Sequence, residues 1–110
     1  MRRLAAALSV LAGPALAQPD LVTTRYQCDR GVEVPATYVN TSEGSVAVIN
    51  VEGRQITLVN VPAGSGARYE WPSDGSGYVW WTKGPEATLL WKDAEKGEEV
   101  TLYALCTEQS

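Results

Sequence analysis

From Leu21 onward, short apolar runs alternate with clusters of turn residues. Leu21 to Cys28 carries Val22, Thr23, Thr24 and Tyr26, and Val32 to Val39 alternates apolar and polar positions imperfectly. Ser45 to Val51 reads S-V-A-V-I-N-V, and Gln55 to Val61 places Ile56, Leu58, Val59 and Val61 among polar residues. Four further runs follow: Ala67 to Trp71, Tyr78 to Thr82 (Y-V-W-W-T), Ala87 to Trp91 (A-T-L-L-W) and Val100 to Cys106 (V-T-L-Y-A-L-C). Runs this short, rich in β-branched and aromatic residues, predict about eight strands. Between them lie Asn40 to Gly44, Gly53-Arg54, Pro62 to Gly66, Pro72 to Gly77, Lys83-Gly84-Pro85 and Asp93 to Glu99. Asp74-Gly75 and Lys83-Gly84 read as hairpin punctuation. Helical periodicity is missing from this part of the chain. Eight short strands without long crossovers predict an all-β fold, an antiparallel meander. Closing it into a small eight-stranded barrel removes the exposed edges of a small sheet, and a two-sheet sandwich is the alternative.

The first residues follow a different pattern. Met1-Arg2-Arg3 is basic, Leu4 to Leu16 is apolar or small apart from Ser9 and Pro14, and Ala15-Leu16-Ala17 has the A-x-A form of a cleavage site. This order predicts a signal peptide over residues 1–17, cleaved after Ala17, and one domain over residues 18–110. The apolar stretch is shorter than the ~20 residues that span a bilayer. No cysteine follows the expected cleavage site to carry a lipid anchor. The expectation is a periplasmic product with no membrane span, in which monomer and dimer both stay open.

Composition narrows the partners. The chain has 9 basic and 13 acidic residues, a net charge of −4. Loss of Arg2 and Arg3 with the signal leaves 7 against 13, or −6. A surface of that sign disfavours nucleic acid and suits a basic protein partner, whose encounter it speeds. Cys28 and Cys106 are the only cysteines. In an oxidising compartment they imply one disulfide closing a loop of 78 positions, worth roughly 4 kcal/mol in the chain-entropy model. Two thiols without any histidine do not make a zinc site.

Enzyme chemistry finds little support. The absence of histidine excludes Ser-His and Cys-His nucleophile pairs. Phosphate-loop and dinucleotide glycine patterns are absent, and a Ser65–Lys83 dyad is a remote alternative. No catalytic residue, cofactor or metal is expected. Two loop features remain. In Gly64-Ser65-Gly66-Ala67-Arg68-Tyr69, glycines on both sides let Ser65 occupy a tight exposed turn. In Trp80-Trp81-Thr82-Lys83-Gly84-Pro85, an aromatic strand runs into a turn that presents the only positive charge between Arg68 and Lys92. Taken alone, both are ordinary turns. Trp80 and Trp81 face opposite sides of a strand, so one belongs to the core and the other is free to stack on sugar or protein. A barrel that binds a small ligand or cell-wall glycan through Trp71, Trp80 or Trp81 is therefore the competing function.

Across these motifs the chain resembles the C-type lysozyme inhibitor family. The resemblance rests on Tyr26-x-Cys28-Asp29, Ser65-Gly66-x-x-Tyr69, Trp81-Thr82-Lys83-Gly84 followed by Ala87-x-Leu89, and Cys106, in this order. It covers essentially the whole chain after residue 17. It implies an eight-stranded antiparallel barrel whose partner is a C-type lysozyme. It further implies that Ser65 and Lys83 enter the enzyme's cleft, that Tyr69 supports the serine loop, and that Gly66, Thr82 and Gly84 complete the binding site. The chain departs from the family at Pro85, where an acidic residue is common. The missing lipobox cysteine implies the periplasmic form.

Overall fold

The computed structural model describes residues 20–109. The segment expected to be the signal peptide lies outside them. Eight strands follow in order: β1 Asp20–Gln27, β2 Glu33–Thr41, β3 Gly44–Val51, β4 Arg54–Val61, β5 Ala67–Glu70, β6 Gly77–Lys83, β7 Glu86–Asp93 and β8 Glu98–Glu108. Each pairs antiparallel with the next, and β8 returns to β1 to close a barrel. The sandwich alternative is therefore excluded. No described helix is long and apolar enough to cross a membrane; a single 3-10 turn, Asp29–Gly31, links β1 to β2.

Period-two alternation builds the core. On β3, Ala47, Ile49 and Val51 point inward, and on β6 Trp80 does so while Trp81 faces out. Trp80, Ile49, Leu58, Leu89, Val34 and Val51 are essentially fully buried and fill the interior. Each such aliphatic side chain contributes about 2 kcal/mol by leaving water. The polar atoms of Trp80, Tyr38 and Tyr26 are satisfied internally. Trp80 Nε1 donates to the Tyr38 hydroxyl at 2.8 Å, and the Tyr38 and Tyr26 hydroxyls share a hydrogen bond of 2.7 Å. The Tyr26 ring meets Trp80 edge-on at 5.1 Å, within the favourable range for T-shaped pairs.

Three local expectations shift. Trp71 lies just past the end of β5, and residues 71–76 form a loop, so Asp74-Gly75 is not a tight hairpin. The turn between β3 and β4 sits at Glu52-Gly53 instead of Gly53-Arg54, because both residues take left-handed φ angles of 54° and 79°, which suit a hairpin twist. Lys83 is the last residue of β6, paired with Glu86, and Gly84-Pro85 alone make the turn. Gly84 supplies the positive φ of 59° that this turn needs, and proline's fixed φ suits the position after it.

The seam between β1 and β8 is short. Tyr26 pairs with Glu108 and Gln27 with Thr107, and the Gln109 amide donates to the Arg25 carbonyl at 2.9 Å. The Cys28–Cys106 disulfide adjoins these pairs. Register shifts between Ala87 and Leu90 show that β8 bulges beside the seam. Ala104 there is stitched by side chains: its amide donates to Asp29 Oδ2 at 2.7 Å, and its carbonyl accepts from Thr88 Oγ1 at 3.0 Å. Asp29 thus serves the fold, satisfying a backbone group that the bulge takes from the ladder.

Candidate functional site: a serine loop held against a lysine strand end

Antiparallel pairing of β5 with β6 brings the two sequence motifs together. Ala67 lies opposite Thr82, Arg68 opposite Trp81 and Tyr69 opposite Trp80. The loop 62–66 that enters β5 therefore meets the end of β6 that carries Lys83. Ser65, Gly66, Lys83 and Gly84 are exposed, and Thr82 is half-buried. Tyr69 is buried, with its ring 5.6 Å from that of Tyr38. It belongs to the interior beneath the loop.

Gly66 makes the close approach possible. Its φ is +65°, and a Cβ built there would lie 2.1 Å from the Thr82 carbonyl oxygen and 2.8 Å from Lys83 Cγ. Both the backbone conformation and the lack of space exclude any larger residue. Thr82 Oγ1 donates a long hydrogen bond of 3.4 Å to the Ala67 carbonyl on the inner side of the same pair.

Trp81 organises the outer side. Its indole Nε1 donates to the Ser65 carbonyl at 2.9 Å. Lys83 Nζ lies 4.5 Å from the ring centroid, and Arg68 Cζ lies 5.0 Å from it. Arg68 is itself fixed by Glu70, whose Oε2 accepts from Nε at 2.7 Å, and by Glu99, which pairs with Nη2. Glu70 also pairs with Lys92 at 3.1 Å. Burial disfavours the charge on Arg68, but the two carboxylates more than offset it and raise its pKa. Burial likewise opposes the charge on Glu70, and its two cationic partners reverse this, holding the carboxyl below its usual range. Both groups are therefore charged at neutral pH. The lysine itself joins no ion pair among the described residues.

Behind Thr82 and Gly84 the barrel mouth is a shallow opening of about 220 Å³, also lined by Tyr26, Tyr38 and Tyr69. Burial pushes all three phenols up, and the shared hydrogen bond with Tyr26 pushes Tyr38 further.

Of the residues expected to bind, Ser65, Gly66, Thr82, Lys83 and Gly84 come together at one edge of the barrel. The sequence reading misses the part played by Arg68 and Trp81. The signal was their register: a cation and an aromatic directly opposite on adjacent strands. Of the three tryptophans proposed as ligand platforms, Trp80 is fully buried, and the Trp81 ring carries two cations; Trp71 is exposed beyond β5.

A family described as membrane-bound lysozyme-inhibitor of c-type lysozyme matches residues 26–98, a stretch that contains Ser65 and Lys83. The chain is 36% identical over 98 residues to a membrane-bound lysozyme inhibitor of C-type lysozyme from Pseudomonas aeruginosa, covering 86% of this chain and 74% of the relative. It is 41% identical over 71 residues to one of the same description from Cupriavidus necator, covering 64% of this chain. The match spans about half, 54%, of that relative's length. The fold superposes on Pseudomonas aeruginosa MliC, solved in complex with hen egg white lysozyme, with a TM-score of 0.65 and 31% identity over 87% of this chain and 89% of the other. It also superposes on a periplasmic lysozyme inhibitor of C-type lysozyme from Salmonella typhimurium, with a TM-score of 0.68 and 24% identity over 83% and 100% of the two chains. That second likeness concerns the fold.

Proposed function

The chain belongs to the family of membrane-bound lysozyme inhibitors of C-type lysozyme, and from that premise we propose that it is an exported, periplasmic inhibitor that blocks a C-type lysozyme by placing Ser65 and Lys83 in the enzyme's cleft. The observation that supports this reading best is the joining of the two exposed motifs through Trp81, which makes them a single surface.

Lysozyme hydrolyses glycosidic bonds with two carboxyl groups, one held protonated by an apolar pocket and one ionised, about 5 Å apart. An ammonium inserted between them pairs with the ionised group and favours ionisation of the acid, which then has no proton to donate. A serine hydroxyl donates to one carboxylate while accepting from a neighbour. The loops also fill the sugar subsites, so inhibition is reversible and competitive, with no covalent step. Lys83 is suited to this transfer. Its ammonium rests on Trp81, and an exposed cation–π contact of this kind is worth only about 0.5–1 kcal/mol. A carboxylate pair in a water-poor cleft is stronger.

One form of the competing reading, a barrel holding a ligand inside against Trp80, requires interior space. Trp80, Leu58, Leu89 and Ile49 occupy it.

The test is inhibition of lysozyme-driven cell-wall lysis by the purified protein and by Ser65→Ala and Lys83→Ala. Lys83→Ala should weaken inhibition by about a hundredfold and Ser65→Ala by about tenfold, as expected for losing a charged and a neutral hydrogen bond in a desolvated site. Wild-type inhibition by both folded variants would sink the assignment.

A further inference from the structure

We infer that Trp81 is a positioning residue for both halves of this surface, holding the serine loop and the lysine in their binding geometry before any partner arrives; the inference rests on the proposed inhibitory site. Three independent contacts converge on one indole. Its Nε1–H is donated to the Ser65 carbonyl at 2.9 Å, which fixes the backbone of the very residue whose side chain is presented. Its ring carries the Lys83 ammonium at 4.5 Å. The same ring carries Arg68 at 5.0 Å, anchored in turn to Glu70 and Glu99.

The need for such a device follows from the loop itself. Residues 62–66 lie outside any strand, and Ser65 is flanked by glycines. Such a segment samples many conformations unless tied down, and ordering it on binding would weaken affinity. The Trp81–Ser65 hydrogen bond ties the loop across 16 residues of sequence. Gly66, seated against Thr82, removes the remaining freedom at the next residue. The arginine supports the same ring. With two carboxylates holding its guanidinium, it keeps the indole plane fixed for the lysine.

The test uses the exported protein and three readouts. Trp81→Phe keeps an aromatic face and removes the indole donor; Trp81→Leu removes both. Binding to hen egg white lysozyme should weaken about fivefold for Trp81→Phe and tenfold or more for Trp81→Leu, with melting temperatures within a few degrees of wild type. Amide hydrogen exchange at Ser65 and Gly66 in the free protein should speed up in both variants. The combined loss in Trp81→Leu/Lys83→Ala should fall well short of the product of the single losses, because both act on the same lysine. Unchanged affinity in Trp81→Leu overturns the inference. So does weakened binding with unchanged exchange, which would make Trp81 a direct contact, and so does full multiplicativity with Lys83→Ala. Failure of the wild-type protein to bind lysozyme would instead remove the inhibitory reading, and the exchange comparison would still decide whether Trp81 orders the loop.

Discussion

Two places in this barrel join segments that are far apart in the chain, and they do it by different means. At the seam, β1 meets β8 through a disulfide, a short run of strand pairs and the Gln109–Arg25 backbone hydrogen bond. At the site, the serine loop meets the lysine-bearing strand through one indole hydrogen bond, one glycine contact and a cation on an aromatic ring, largely at the surface. Covalent and buried bonds act against the whole unfolded ensemble, whereas exposed ones select among conformations of a chain already folded. On the proposed function, stability is therefore concentrated at the seam and binding competence at the site.

Four perturbations separate the two joints. The largest effect is expected from Cys28→Ser/Cys106→Ser, which should cost roughly 4 kcal/mol in urea unfolding while leaving affinity for lysozyme near wild type under conditions where the variant is still folded. A loss of affinity in the folded fraction would show that the seam also shapes the site. Next is Gly66→Ala. The new methyl must displace the Thr82 carbonyl or the loop, so inhibition should fall tenfold or more, for a stability cost of about 1–3 kcal/mol. Equal inhibition would mean that the loop need not touch β6.

The third is alkaline pH. The folded chain holds Tyr26, Tyr38 and Tyr69 above the ordinary value of 10.0, so their contribution is complete below that pH. Above it the unfolded chain ionises while the folded chain does not, and stability declines as pH rises further. Urea midpoints should fall from about pH 10 upward, and Tyr38→Phe should flatten the decline. The smallest effect is expected from Trp71→Ala. This tryptophan lines an open groove of about 510 Å³ with Asp74, Lys92, Glu98 and Glu99, and it carries no assigned partner contact. Inhibition should stay within twofold. A tenfold loss would extend the lysozyme footprint to that groove, and binding of muropeptide there would revive the glycan reading.

Much of this was legible in the chain. Strand count and fold class follow from the spacing of apolar runs, because one face of every strand must be buried and a meander of this length closes most simply on itself. Ser65 and Lys83 were visible as glycine-flanked turn residues within a family resemblance. Their adjacency was not, since register depends on how loop 71–76 sets β5 against β6. Arg68 and Trp81 were hidden for the same reason: a cross-strand pair exists only once the pairing is known. Asp29 stood in the sequence only as part of the family motif Tyr26-x-Cys28-Asp29; in the structure it serves a bulge in β8, a feature that no alternation pattern announces.

The short seam has a consequence for timing. It joins the first strand of the barrel to the last, across 78 residues, so neither end can find its partner until nearly all of the chain is present. A chain made or delivered from its N-terminus passes through a stage in which β1 to β7 form an open, curled ribbon with two bare edges. Closure is then the most non-local step. The interval before it is when the protein is most prone to pair with a neighbour, and when an oxidant that joins Cys28 to Cys106 most increases the yield of finished barrels.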